Sequence, residues 1–142
     1  MGREICGIKS KGKNILIFKE LSLKGVFLIE LEKIEDERGF FSRAWDKKEF
    51  ENNGMHSNLS QCNISFNKNR GTIRGMHFQK DPYAEAKTIR CTKGRVFEVM
   101  VDIRVNSSTF HKWISVELDE KKYELLYVPE GFALGFQTLS EN

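Results

Sequence analysis

The chain has 142 residues, with 23 Lys and Arg against 20 Asp and Glu and a formal net charge of +3, which suits a single domain with its own apolar core and a small anionic ligand better than a polynucleotide. The longest apolar runs, ILIF (15–18) and VFLI (26–29), are too short to cross a bilayer or to form a signal-peptide core, so no membrane partner is expected. Cys6, Cys62 and Cys91 are odd in number and form no CxxC pair, which points to free thiols in a reducing compartment and hence a cytoplasmic protein.

Residues 1–13, MGREICGIKSKGK, have no clear period and read as an extension, leaving 14–142 as the domain. ILIFKEL, which follows, is an apolar strand without an obvious hairpin partner. GVFLIELEKI (25–34) opens apolar and then alternates, and EDERG closes it with a turn. DKKEFENNG (46–54) is the one convincing helix, with Asp46 as N-cap and Gly54 as the stop. Downstream, KTIRC and RVFEVMVDI flank Thr92-Lys93-Gly94, a connection of hairpin length. WISVEL places Ile114, Val116 and Leu118 on one face, and DEKK then turns the chain into YELLYVP. Many short strands, two prolines and a single short helix predict an all-β barrel or sandwich.

Between the helix and KTIRC lies RGTIRGMHFQK (70–80), which carries His77. A catalytic base, a metal ligand and a buried structural histidine are the three readings open to it. Metal-binding β-barrels bring several imidazoles together, often as an HxH pair. His56 and His111 have no partner at ligand spacing, so no metal is expected. Alternation around KTIRC puts Lys87 with Ile89 and Cys91 on the more apolar face. An ammonium group there is costly unless it is paired or faces a ligand, which implies a polar cavity inside the barrel. Both faces of IRGMHFQ mix polar and apolar residues, so the same test does not place His77.

Six blocks, in order, now carry a family likeness: DERGFF (36–41), QCNIS (61–65), GTIRGMHFQ (71–79), AKTIR (86–90), GRVFEVMVDIR (94–104) and VPEGFALGFQTLSEN (128–142). In these blocks the chain resembles the dTDP-4-dehydrorhamnose 3,5-epimerases from about Lys24 onward. The resemblance implies a jelly-roll β-barrel of the cupin type, usually dimeric, that uses no metal or other cofactor and acts on a nucleotide-linked 4-keto-6-deoxyhexose. It implies that His77 is the catalytic base and Lys87 the cation beside the sugar ketone. Arg38, Gln61, Asn63 and Arg74 match positions that hold the nucleotide, the diphosphate or the sugar. Leu134 stands where the family commonly has a second histidine near the substrate. Family members continue past the position of Asn142, into a region that carries a tyrosine acid and an aspartate orienting the histidine, so a truncated chain is expected. A non-catalytic nucleotide-sugar-binding cupin is the alternative that this expectation keeps open.

The implied chemistry explains the residue types. Loss of a proton beside a ketone gives an enolate, and return of a proton from the opposite face inverts the carbon. Histidine suits the base because its ordinary pKa, about 6.5, lies close to working pH. A lysine opposite the ketone oxygen stabilises the charge that develops there. Arginines suit a diphosphate because the planar guanidinium offers two parallel donors to phosphate oxygens.

Overall fold

The structure is a computed structural model that describes residues 16–141; the expected extension over 1–13 lies outside the described residues. Ten strands and one helix follow in order: β1 (Leu16–Glu20), β2 (Phe27–Leu31), β3 (Ile34–Asp36), β4 (Gly39–Phe41), α1 (Lys47–Asn52), β5 (Ile73–His77), β6 (Lys87–Ile89), β7 (Arg95–Asp102), β8 (Trp113–Asp119), β9 (Leu125–Val128) and β10 (Phe132–Thr138). Eight of them form two four-stranded antiparallel sheets, ordered β1-β2-β9-β6 and β5-β10-β7-β8, while β3 and β4 make a separate hairpin. This is the jelly-roll architecture of cupin type that the resemblance implied.

ILIFKEL has a partner after all. β1 pairs with β2, Leu16 facing Leu31, across a turn closed by hydrogen bonds between Leu21 N–H and Val26 C=O (2.8 Å) and between Val26 N–H and Leu23 C=O (3.0 Å). The expected hairpin across Thr92–Gly94 does not form. β6 pairs with β9 in one sheet, whereas β7 pairs with β8 and β10 in the other, so this connection carries the chain from sheet to sheet. Alternation identifies the faces of a strand but leaves the partner open, and here the partner of β6 is distant in sequence.

The core follows from β9. Its four residues LLYV are all buried, with Leu126 and Val128 packing between the sheets beside Met100, Leu118 and Leu134, and Leu125 and Tyr127 packing on the outer face beside Ile29 and Phe50. Phe50 is the buried residue of α1, and a fully buried aromatic of this size stabilises by roughly 2–3 kcal/mol. Asp46 caps the helix as expected, its carboxylate accepting from the N–H groups of Lys48 (3.0 Å) and Glu49 (3.1 Å), and Gly54 takes the left-handed conformation after its end.

One contact in the second sheet bears directly on function. β5 approaches β10 so closely that a Cβ on Gly75 would stand 2.5 Å from Gly135 Cα, and one on Gly135 would meet Met76 Sδ at 2.7 Å. Only a glycine pair lets the two backbones meet here. The pairing is irregular at this point: two steps along β10, from Leu134 to Phe136, correspond to three along β5, from His77 to Arg74.

Candidate active site

The extra residue in β5 decides where His77 points. Directly opposed residues of an antiparallel pair project to the same side. Leu134 opposes both His77 and Met100, and Leu134 and Met100 are buried between the sheets. The His77 side is therefore the inner side. Phe136 opposes both Arg74 and Glu98, so the bulge brings Arg74 to the same inner side as His77, although the two are separated by an odd number of positions. The period-2 test applied to the sequence could not find this, because a bulge breaks the period. All five residues of β5 are exposed.

Lys87 stands where its parity placed it. Lys87 and Ile89 are half-buried, Cys91 is buried, and Thr88 and Arg90 are exposed. The Lys87 ammonium forms an ion pair with Glu85 at the wall of a cavity of about 560 Å³, which Gln61, Asn63, Trp45 and Tyr127 also line. This is the size of a small-molecule site. At the same cavity the Tyr127 hydroxyl accepts from the His56 N–H at 3.0 Å, and burial, assisted by Glu130, raises the phenol pKa.

A second cavity, of about 320 Å³, adjoins the first along Asn63, Thr88 and Ile89, which line both. Asn67 lines it and accepts from Arg74 Nε at 2.7 Å. Of the six residues singled out in the sequence, Gln61, Asn63 and Lys87 line the first cavity, and Asn63 lines the second as well. Arg74 reaches the second through Asn67, while His77 lines neither and stands on the inner side of the sheet. Arg38 is apart from both cavities. It sits in the β3–β4 turn, its guanidinium donating to the Asp36 carboxylate (Nε, 3.2 Å) and holding that carboxyl below its ordinary pKa. No group of three or more His, Cys, Asp or Glu side chains able to hold a metal occurs among the described residues.

Two carboxylates of the site were not singled out in the sequence. Glu85 is the partner of Lys87, and no local pattern announces it. Glu98 is the more consequential: it lines the second cavity, is only 2% exposed, and its Oε2 has no hydrogen-bond partner. Burial pushes its pKa from 4.5 to about 7. In contrast, Asp102, two positions further along the same face, accepts from Arg104 Nε (2.9 Å), Ser107 Oγ (2.7 Å) and Thr109 Oγ1 (2.6 Å). Burial alone would raise the Asp102 pKa, but these donors hold it well below the ordinary range.

The raised Glu98 value has a definite sign. The folded protein holds the Glu98 proton more tightly than the unfolded chain, so the associated stability is fully present below the ordinary 4.5 and is lost as pH rises through about 7. Between pH 5 and pH 8 the wild-type protein is expected to lose about 2–3 kcal/mol relative to Glu98→Gln, which has no such proton to release. Denaturant melts of both proteins at the two pH values check this. Equal changes in wild type and variant would show that Glu98 titrates in the ordinary range.

Comparison with known proteins adds to this geometry. The family model described as dTDP-4-dehydrorhamnose 3,5-epimerase matches residues 20–142. A curated protein of that description from Sinorhizobium fredii is 45% identical over 124 residues, covering 87% of this chain and 64% of its own length. The chain thus spans a little under two thirds of that relative. The crystal structure of the dTDP-4-dehydrorhamnose 3,5-epimerase from Elizabethkingia anophelis superposes with a TM-score of 0.87 at 41% identity, over 90% of this chain and 70% of that one. The Bacillus anthracis enzyme of the same description, solved with TDP and PPi bound, gives 0.84 at 38% identity, over 89% and 72%.

Proposed function

Because the chain belongs to the dTDP-4-dehydrorhamnose 3,5-epimerase family, we propose that it epimerises a dTDP-linked 4-keto-6-deoxyhexose at carbon next to the ketone, with His77 as the base and Lys87 as the cation facing the ketone oxygen. His77 Nε2 or Nδ1 takes the proton from the carbon, the electron pair moves onto the ketone oxygen as an enolate, and a proton returns to the opposite face. Lys87 stabilises the enolate oxygen from the cavity wall, where its half-buried ammonium group counts for more than a fully solvated charge.

The observation that carries this reading is the placing of Lys87 on the wall of a ligand-sized cavity together with Gln61 and Asn63. Arg74, held by Asn67 at the adjoining cavity, suits the diphosphate. The TDP and PPi bound to the Bacillus anthracis relative agree in chemical class with these assignments. Arg38 belongs to the nucleotide end, and its exposed turn requires the guanidinium to leave Asp36 for the ligand. The protein acts as a homodimer, a reading supported by β5, which stands at the edge of its sheet with Ile73 72% exposed, and its cysteines, odd in number and without a CxxC pair, suit the cytoplasm.

Incubation with the dTDP-4-keto-6-deoxyhexose in heavy water tests the proposal. Deuterium should enter the sugar carbon next to the ketone, and light scattering on the same preparation should give about twice the 16.5 kDa chain mass. Tight binding of the nucleotide sugar without exchange would instead identify a non-catalytic binding protein.

A further inference from the structure

Glu98 is the one buried polar side chain of the inner face that has an atom without a partner among the described residues. Alternation along β7 brings it to the same side as Met100 and Asp102, and cross-strand register sets it beside Phe136 and in the row of Arg74. It also lines the smaller cavity, next to Asn67 and Thr88. A carboxyl group kept dry with an oxygen unsatisfied destabilises the fold. Asp102, on the same strand, shows how this protein satisfies a carboxylate whose role is structural, with three side chains donating to it.

No such donors surround Glu98 among the described residues, and its carboxyl group lies at the wall of the smaller cavity. We infer that Glu98 holds the hexose, its carboxyl group accepting a hydrogen bond from a ring hydroxyl in the smaller cavity, and that it is a specificity-determining residue for a sugar that carries free hydroxyls between the diphosphate-bearing carbon and the ketone. This inference rests on the nucleotide-sugar reading proposed above. In a 4-keto-6-deoxyhexose joined to the nucleotide through carbon 1, only the hydroxyls on carbons 2 and 3 remain free to donate. The common wall of Asn63, Thr88 and Ile89 gives the ligand its layout: the ketone faces Lys87 in the larger cavity, and the hydroxyl edge of the ring turns towards Glu98 in the smaller. Opposite Glu98, Phe136 lines the same cavity with an apolar ring, so in this cross-strand pair of β7 and β10 the carboxyl group is the polar contact offered to the sugar.

A site built around a hydroxyl discriminates strongly against a ligand that lacks one, because the protein group is left dry and unpaired. Calorimetry with dTDP and with dTDP-glucose, which has the ring hydroxyls but no ketone and does not react, measures the contribution of the sugar as a ratio of affinities. Wild-type protein should bind dTDP-glucose at least tenfold more tightly than dTDP. Glu98→Leu should bind dTDP as the wild type does but lose most of that ratio, and its melting temperature should rise because the dry carboxyl group is gone. Glu98→Gln, which keeps the shape and one acceptor, should lose part of the ratio, about threefold, and serves if the Leu variant does not fold. A ratio unchanged from wild type in either variant overturns the inference while leaving the proposed function standing. A wild-type protein that binds dTDP but gains nothing from the glucose also overturns it. Failure of wild type to bind either ligand overturns both this inference and the functional reading beneath it.

Discussion

His77→Asn is expected to abolish deuterium incorporation into the sugar while leaving nucleotide-sugar binding and thermal stability close to wild type. A positioned general base contributes on the order of 10²–10⁴ in rate, and asparagine keeps the approximate size of the imidazole without its basicity. The structure makes the contrast with a structural role sharp. His77 is exposed and ends the edge strand β5, and its side chain makes no hydrogen bond among the described residues, so removing it should cost no more than about 0.5 kcal/mol. A histidine that mattered only to the fold would show the reverse, a lowered melting temperature with normal exchange by the protein that stays folded. Measuring both on one preparation decides the matter: a variant that still exchanges deuterium at the wild-type rate is not missing its base.

Lys87→Met should separate turnover from affinity. Methionine preserves the length of the stem but places no charge where the enolate develops, and loss of one such electrostatic contact costs roughly 10²–10³ in turnover. Affinity should change little, since the ketone carries no full charge in the ground state. Glu85 loses its ion-pair partner, yet its side chain is 37% exposed and water can take over. Arg74→Met should do the opposite, weakening binding with turnover at saturation nearly intact, because a diphosphate contact is alike in ground and transition states. Steady-state kinetics of the two variants read this directly. A Lys87 variant whose defect lies wholly in KM would place the lysine at the diphosphate instead.

The sequence revealed most where the relevant physics is local. The Asp46 cap, the Gly54 stop, the Ile114–Val116–Leu118 face and the inward side of Lys87 all follow from the period of one element and the chemistry of its ends. Strand partnership is not local, and so KTIRC and RVFEVMVDI, adjacent in the chain across a connection of hairpin length, lie in opposite sheets. The side on which His77 lies was hidden for a different reason: a bulge at Gly75 adds one residue to the count, and its cause is a glycine on another strand, Gly135, more than fifty residues away. Glu98 was legible by the same parity argument that found Lys87, since Val96, Met100 and Asp102 share its face. What no parity rule could show is that its oxygen would find no donor, a property of everything packed around it.

The wall that the two cavities share has a practical consequence for inhibition. Two weakly binding fragments, one seated beside Lys87 and Gln61 and the other beside Asn67 and Glu98, would lie on either side of Asn63, Thr88 and Ile89. A short flexible tether across these residues turns the second binding event into an intramolecular one, at an effective concentration on the order of millimolar. Such a tethered pair could gain selectivity over other nucleotide-binding proteins from its second arm, because that arm would sample a buried carboxyl group, Glu98, beside the asparagine that holds Arg74.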